Sequence, residues 1–297
     1  MLRTTLKQIE VFIETAQKGS VTGAAVAIGI TQSAASMALA DFERQIGTRL
    51  FDRMGKRLAL NGDGRALYPK AVGMIERARE MEALFLRPGC AVDLRLGASS
   101  TIGNYLLPQM IGAFRDRRPG SRVELEVGNT RQVINAILQF DIDLGFVEGP
   151  CLHPDIEAMF WRPDELAICA APGHPLARPG GADHEALCAA DWILRERGSG
   201  TREVVDQILT SQLGAIRVAM ELGGTEAIKR AVESGMGISC LPAIALVDAV
   251  ERGNLVRIAT PGLRLTRAFH ILVHRDKYRT EGMEALLALC CEATTPA

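Results

Sequence analysis

Apolar residues recur with a helical period through the first part of the chain. The apolar positions of the first predicted helix are Ile9, Phe12, Ile13 and Ala16. Lys18-Gly19 ends this helix, and an alanine-rich helix follows over residues 23–28. After the break at Gly29, Thr31 is placed to cap a third helix that runs to about Ile46. The pattern therefore predicts three short helices separated by tight breaks.

An alternating basic and apolar stretch follows the three helices. Residues 50–53 and 56–60 form its two arms, and Met54-Gly55 bends the chain between them, which predicts a small hairpin. Asn61 then caps a long predicted helix that Pro88-Gly89 stops, a rod of roughly 36 Å. Its apolar stripe consists of Leu67, Ala71, Met74, Ile75, Ala78, Met81 and Phe85. Three helices followed by a basic hairpin indicate a winged helix-turn-helix.

From Asp93 onward, short β-rich runs alternate with helical periods. The predicted strands of a first α/β unit lie near residues 94–98, 123–127 and 143–147. The predicted strands of a second unit, which begins after Pro163, lie near residues 166–170, 218–222 and 237–241. Residues 268–274 return the chain to the first unit. This alternation predicts an α/β fold with a mainly parallel sheet.

Composition narrows the class of protein. The 297 residues are 47% hydrophobic and 23% charged, which is enough apolar material for two or three globular units. No apolar run approaches the roughly 18 residues of a membrane span, and residues 1–10 lack the core of a signal peptide. The seven cysteines are scattered and include no C-x-x-C pair. We therefore expect a cytoplasmic protein with reduced thiols, no membrane contact and no bound metal.

Positive charge is concentrated at the start of the chain. Residues 1–60 carry eight Lys or Arg against five Asp or Glu, whereas the whole chain has a net charge of −1. The first segment is therefore suited to bind a polyanion.

Residues 20–53 read SVTGAAVAIGITQSAASMALADFERQIGTRLFDR and resemble the amino-terminal signature of LysR-type transcriptional regulators. The matching positions are Ala24-Ala25, residues 31–36, Phe42-Glu43, Ile46-Gly47 and residues 50–53. The resemblance implies a winged helix-turn-helix that binds double-stranded operator DNA. The DNA-binding residues that follow are Thr31, Gln32, Ser33, Ala34 and Ser36 in the recognition helix, and Arg53, Lys56 and Arg57 in the wing.

Physical chemistry agrees with these assignments. Short hydroxyl and amide side chains at the start of a helix fit the major groove, and the basic wing is placed to meet phosphates. The competing interpretation is that these elements are an ordinary exposed helix and a solvated basic hairpin that do not bind DNA. One departure concerns the face after Ser36, where relatives often carry Arg, Lys or Gln and this chain has Met37, Ala38 and Ala40. We therefore expect base readout to rest on Gln32 and Ser33.

The resemblance extends over almost the whole chain and implies four parts. These are a DNA-binding domain (1–61), a linker and dimerisation helix (62–89), effector subdomain I (90–163 and 267–297) and effector subdomain II (164–266). The two α/β subdomains are expected to hinge like periplasmic binding proteins, with an effector in the cleft. A homodimer formed through the linker helix, assembled further into a tetramer, is expected, and RNA polymerase is a further candidate partner.

Small hydroxyl residues stand where predicted strands give way to helices, a geometry that binds anions. Ordinary helix capping is the competing interpretation. Residues 97–108 resemble the family branch that controls sulfur, nitrogen or carbon assimilation, which points to a small anionic effector and to no cofactor. The carboxylate of Glu148 would repel an anion, so Glu148 is expected to line a hinge instead. The predicted effector residues are Ser99, Ser100, Thr101, Asn129, Thr130, Phe146, Val147, Gly200, Thr201, Arg202 and Thr225, with Arg131 nearby.

Three other functions compete with this prediction. A thiol-based redox-sensing regulator is the main alternative, but residues 195–209 contain no cysteine. A solute-binding receptor shares the expected hinged shape but has no use for residues 20–53. An enzyme is disfavoured, because no G-x-S-x-G elbow, P-loop or metal-ligand spacing of the five histidines occurs.

Overall fold

The computed structural model describes residues 3–55, 57–86, 92–149 and 151–292, with only the backbone described for 83–86. The chain divides into two compact units. The N-terminal unit comprises residues 1–90 together with 276–281, and the C-terminal unit comprises residues 91–275 and 282–297.

The N-terminal unit contains the predicted three helices, hairpin and long helix. The elements are α1 (Leu6–Lys18), α2 (Val21–Ile28), α3 (Gln32–Ile46), β1 (Phe51–Met54), β2 (Arg57–Leu60) and α4 (Gly62–Leu86). Thr31 caps α3 by accepting a hydrogen bond from the Ala34 N–H at 3.2 Å. Asn61 Oδ1 accepts one from the Gly64 N–H at 2.8 Å at the start of α4. Both predicted caps are therefore confirmed.

An aromatic core joins the elements of the N-terminal unit. The Phe12 ring lies 5.6 Å from those of Phe42 and Phe51 and 6.1 Å from that of Tyr68, so α1, α3, β1 and α4 share one core. Gly64 lets α4 approach the hairpin closely, because an added Cβ would lie 2.2 Å from the Leu50 carbonyl oxygen.

The segment 276–281 packs against α4 within the N-terminal unit. Lys277 Nζ pairs with Glu76 at 2.5 Å, and the two side chains are only 1% and 12% exposed. The Tyr278 hydroxyl donates to Glu80 at 2.9 Å, and the Arg77 guanidinium lies 4.5 Å from the Tyr278 ring centroid. This segment is therefore fixed to the middle of the long helix, although the chain enters it from, and leaves it to, the C-terminal unit.

The C-terminal unit alternates strands and helices. Its elements are β3 (Asp93–Ser99), α5 (Ser100–Tyr105), α6 (Leu107–Arg117), β4 (Arg122–Gly128), α7 (Thr130–Leu138), β5 (Leu144–Glu148), β6 (Ile156–Ala170), α8 (His184–Ala189), β7 (Asp191–Arg195), α9 (Gly200–Gln212), β8 (Arg217–Leu222), α10 (Thr225–Glu233), β9 (Ser239–Pro242), α11 (Ala243–Glu251), β10 (Val256–Arg257), β11 (Thr266–His274) and α12 (Glu281–Glu292). The predicted α/β class is confirmed.

The sheet is mixed, so the prediction of a mainly parallel sheet was wrong. β3 pairs in parallel with β4 and β5, and β7 pairs in parallel with β8. β6 and β11, in contrast, run antiparallel to all their partners and join seven strands in the order β10-β6-β11-β5-β3-β4, with β9 beside β6. These two long strands cross from one predicted subdomain into the other. Repeated βαβ units, on which the prediction of a mainly parallel sheet rested, do not contain such crossing strands.

β6 begins at Ile156, ten residues before the predicted strand at 166–170. This extension was not predicted because it includes Pro163, and proline is ordinarily disfavoured inside a sheet. β7 and β10 were not predicted at all. No single helix in the described part of the chain is long and apolar enough to cross a membrane; α2 and α3 pass that test only jointly and meet at a bend of 111°.

Candidate functional site

The N-terminal unit presents α3 as an exposed helix on a tight turn. α2 and α3 meet at 111°, and Gly29, in the left-handed conformation at φ 72°, ends α2. Two helices at 90–120° joined by a short glycine-containing turn have the geometry of a helix-turn-helix. Ala35, Leu39 and Phe42 bury the inner face of α3.

The predicted recognition residues lie on the outer side of α3. Gln32, Ser33 and Ala34 are exposed, and Ser36 is half-buried. The Gln32 amide donates to Ser36 Oγ at 2.9 Å, and the Thr31 and Ser33 hydroxyls are 3.1 Å apart. The structure thus gathers all five predicted recognition residues at one end of one helix.

The hairpin brings the wing arginines to neighbouring positions. Arg53 faces Leu58, and Met54 faces Arg57, across the β1–β2 pair. Arg53 and Arg57 are both exposed. The third predicted wing residue, Lys56, lies outside the described residues. Both arginines are therefore accessible, and their contact with phosphates stays a prediction.

A buried arginine lies between the starts of two helices in the C-terminal unit. Arg267, with a side chain 1% exposed, donates to Thr201 Oγ1 at 2.7 Å and to Thr101 Oγ1 at 3.3 Å. Thr101 is in the first turn of α5, and Thr201 is in the first turn of α9. One guanidinium on β11 therefore joins two of the predicted effector residues, one from each predicted subdomain.

Two carboxylates accompany Arg267. Its Nε donates to Asp164 Oδ2 at 2.6 Å, and Glu148 Oε1 lies 3.9 Å from its Nη2. Burial raises the pKa of Asp164, while Arg267 lowers it and Glu148 raises it again, so the net shift is upward. The cluster contains two acids and one base, and protonation of Asp164 leaves it neutral.

Thr130 extends this cluster to Gly200, and a further hydroxyl, that of Ser99, lies two residues before Thr101 in the chain. Thr130 Oγ1 donates to Glu148 at 3.4 Å and accepts from the Gly200 N–H at 3.1 Å. An added Cβ on Gly200 would lie 2.5 Å from Thr130 Oγ1, so glycine permits this approach of α7 and α9. Ser99 Oγ is buried and has no hydrogen-bond partner among the described residues. An unsatisfied buried hydroxyl of this kind costs free energy unless a ligand meets it.

Other predicted effector residues have structural roles. Phe146 and Val147 are fully buried in two apolar cores. Asn129 caps α7 and Ser100 donates to the Gly128 carbonyl at 3.2 Å, as the capping interpretation predicts for Asn129. Thr225 is buried and accepts from Arg195.

Arg202 is committed to its own subdomain. It donates to Asp206 at 2.8 Å, to Glu221 at 3.0 Å and to the Arg195 carbonyl at 2.7 Å. Two carboxylates therefore balance its charge, and these contacts all lie within predicted subdomain II. Sequence reasoning instead missed Arg267 and Asp164, because Arg267 lies 66 residues from Thr201 and 166 from Thr101 along the chain.

Further hydrogen bonds join the two predicted subdomains. Tyr105 donates to Glu226 at 2.8 Å, and the Arg131 N–H donates to the Gly198 carbonyl at 3.2 Å. Burial and the neighbouring Glu226 raise the pKa of Tyr105, so this phenol stays protonated and able to donate.

The buried thiols are poor candidates for redox chemistry. Burial raises the pKa of Cys169, Cys240 and Cys290 to about 12, so little reactive thiolate forms. No group of three or more His, Cys, Asp or Glu side chains in the described ranges is placed to hold a metal ion.

Comparisons with known proteins identify the family of both parts of the chain. The family described as "Bacterial regulatory helix-turn-helix protein, lysR family" matches residues 6–65, and "LysR substrate binding domain" matches residues 92–295. The Escherichia coli protein named "Uncharacterized HTH-type transcriptional regulator YeiE" is 48% identical over 295 residues, 99% of this chain and 100% of the relative. The "RuBisCO operon transcriptional regulator" of Allochromatium vinosum is 30% identical over 93% of this chain and 92% of its own.

Solved structures show the same architecture. A full-length OxyR variant from Pseudomonas aeruginosa has a TM-score of 0.76 at 21% identity, covering 98% of this chain and 95% of its own. The Synechocystis CcmR regulatory domain in complex with 2-PG has a TM-score of 0.63 at 30% identity, covering 68% of this chain and 97% of its own. The matched families and relatives are regulators and not enzymes. The chain belongs to the LysR family of DNA-binding transcriptional regulators, with a helix-turn-helix domain followed by an effector-binding domain.

Proposed function

We propose that this regulator reads its operator with α3 and the wing and responds to a small anion bound between α5 and α9. The observation that carries the proposal is the buried Arg267 guanidinium, which donates to Thr101 and Thr201 at the starts of those helices. The Ser99 hydroxyl, two residues before Thr101 in the chain, adds an unused donor. The CcmR regulatory domain, 30% identical, is described in complex with a small ligand, 2-PG, which supports an effector in this half of the chain.

Charge balance defines what the site accepts. Arg267 is matched by Asp164 and Glu148, so an anion requires a proton on one carboxylate. The raised pKa of Asp164 makes it the better candidate for that proton. When the effector binds, it replaces Asp164 as the partner of Arg267. We expect binding to close the hinge between subdomains I and II, and this closure to shift the population of the regulator from one assembly to another.

A thermal-shift screen of the full chain tests the effector proposal. Sulfate, phosphate and small phosphorylated acids are the probes, since a ligand that prefers the folded state raises its melting temperature. A shift that is lost in Thr201→Ala and kept in Thr210→Ala, an exposed threonine of the same helix, supports the proposal. A shift that Thr201→Ala retains contradicts it.

Operator binding is tested separately on α3. Gln32→Ala should weaken binding to the selected operator by about 1–3 kcal/mol without changing thermal stability. Gln45→Ala is the matched control, because Gln45 is an exposed glutamine of the same helix in its last turn, 13 residues beyond Gln32. Equal operator affinity of Gln32→Ala and the unsubstituted protein removes Gln32 from the recognition surface.

We also propose dimerisation through α4 and assembly of two dimers into a tetramer. Met74 and Met81, seven residues apart on α4, are 49% and 64% exposed. Exposed apolar residues at this spacing are expected where a second helix packs against α4 in a dimer. Sedimentation should show a tetramer of 32.1 kDa chains. The double substitution of Met74→Glu and Met81→Glu should convert this tetramer to smaller species. An unchanged tetramer places the dimer contact elsewhere. Cytoplasmic residence and contact with RNA polymerase stay predictions of the same assignment.

The redox alternative has little support. Among the described cysteines, Cys169, Cys240 and Cys290 are buried with raised pKa values, and Cys291 is exposed. If peroxide abolishes operator binding and Cys291→Ser removes that sensitivity, the thiol mechanism replaces the anion mechanism.

A further inference from the structure

The outer face of α3 changes from polar to apolar after its first turn. Ser33 and Ala34 are exposed, and Met37 follows with 69% of its surface exposed. Ala40 continues the exposed face before the charged last turn. A methionine this exposed stabilises no core of the free protein, although large apolar side chains are ordinarily buried.

Helical geometry places Met37 beside the predicted base-reading residues. Met37 lies four residues after Ser33 and three after Ala34, so the three side chains share one strip of the helix surface. The inner face, with Ala35 and Leu39, points away into the core. When the first turn of α3 enters the major groove, Met37 enters with it.

The chemistry of Met37 restricts which base edge it can meet. Its thioether carries no hydrogen-bond donor and only a weak acceptor, so it cannot satisfy the polar edges of guanine, cytosine or adenine. Thymine alone offers a methyl group in the major groove, and an unbranched, flexible side chain packs well against it.

We propose that Met37 is a specificity-determining residue that reads the 5-methyl group of a thymine in each operator half-site. The inference rests on the proposed use of α3 as recognition helix and names one feature of its target. Gln32 and Ser33 supply hydrogen bonds, and Met37 supplies an apolar contact one turn further along the helix.

The experiment removes the methyl group from the DNA and the side chain from the protein. Full-length protein first selects its site from random duplex DNA, and each thymine of that site is then replaced singly by deoxyuridine. Binding is measured by fluorescence anisotropy at one salt concentration. At one symmetry-related pair of positions, each single replacement should weaken binding about fourfold, the contribution of one buried methyl group.

Met37→Ala should make the same positions insensitive to the replacement. Met236→Ala is the matched control, because Met236 is 54% exposed but lies in the C-terminal unit, and it should keep the fourfold difference. The inference is overturned if no position responds to deoxyuridine, or if Met37→Ala still discriminates thymine from deoxyuridine. If Gln32→Ala also leaves binding unchanged, the recognition-helix proposal fails as well; a loss in Gln32→Ala alone confines the failure to Met37.

Discussion

Two adjacent serines differ in what they contribute to the folded protein. Ser99 Oγ is buried without a partner among the described residues, whereas Ser100 Oγ donates to the Gly128 carbonyl at 3.2 Å. Ser99→Ala should raise the free energy of unfolding by about 1 kcal/mol, because it removes an unsatisfied hydroxyl. Ser100→Ala should lower it by a similar amount. Urea unfolding of the two variants measures both signs.

The same pair of serines tests ligand binding. If Ser99 meets the effector, the Ser99→Ala protein is more stable without anion but gains less stability when sulfate is added. Equal sulfate-induced shifts in the Ser99→Ala and unsubstituted proteins would remove Ser99 from the site.

Anion affinity should depend on pH through Asp164. Its pKa is raised above the ordinary 3.8, and its protonated form no longer neutralises Arg267. Sulfate affinity should therefore rise as the pH falls from about 7.5 towards about 5, since proton and anion bind together. Sulfate itself does not titrate in this range. Isothermal calorimetry should show the slope, and Asp164→Asn should flatten it while keeping tight binding.

Sequence alone predicted the hydroxyl residues of the proposed effector site but not its charged residues. Ser99, Thr101, Thr130 and Thr201 stand at helix starts, a local signal that a sequence shows directly. Arg267 sits within a strand and meets them only through long-range contacts. No local sequence signal therefore favours Arg267 over Arg202.

At the scale of elements, the close contact between α4 and the hairpin depends on Gly64. An added Cβ there would lie 2.2 Å from the Leu50 carbonyl oxygen, whereas Gly62 has no atom within 4 Å of such a Cβ. Gly64→Ala should lower the melting temperature and weaken operator binding, because α4 must shift away from the hairpin. Gly62→Ala should match the unsubstituted protein in both measurements. Equal behaviour of the two variants would contradict the close approach.

Helices and strands were predictable from the sequence where nearby residues determine them, and not where pairing with a distant strand does. The N-terminal helices have side-chain caps at Thr5, Ser20 and Thr31, which a sequence displays, and the predicted helices match. β6 is set instead by its pairing with β11 over residues 156–165, which extends through Pro163. Tertiary pairing overrides local preference in such strands, and the early start of β6 therefore escaped prediction.

At the scale of the whole molecule, the chain passes between the two units at three places. The first crossing follows residue 90, and the others flank residues 276–281. The buried pair of Lys277 and Glu76 fixes that segment to α4. Strand β11, which carries Arg267, ends at His274, two residues before the segment begins.

Lys277→Met should destabilise the N-terminal unit by about 3 kcal/mol, because it removes the ammonium beside a largely buried Glu76 carboxylate. Lys70→Met, an exposed lysine on the same helix, should have little effect. Urea unfolding monitored by circular dichroism compares the two variants. Combining Glu76→Gln with Lys277→Met should recover part of the lost free energy of unfolding. Similar unfolding curves for Lys277→Met and Lys70→Met would refute the buried pair.

The path of residues 276–281 also limits how this protein can be recombined with its relatives. An exchange of residues 1–90 alone would pair a foreign linker helix with the native Lys277 and Tyr278, whose partners Glu76 and Glu80 would be replaced. A working hybrid regulator must therefore inherit a second, six-residue piece from near the far end of the chain. Gene fusions at a single junction inherit only half of this contact.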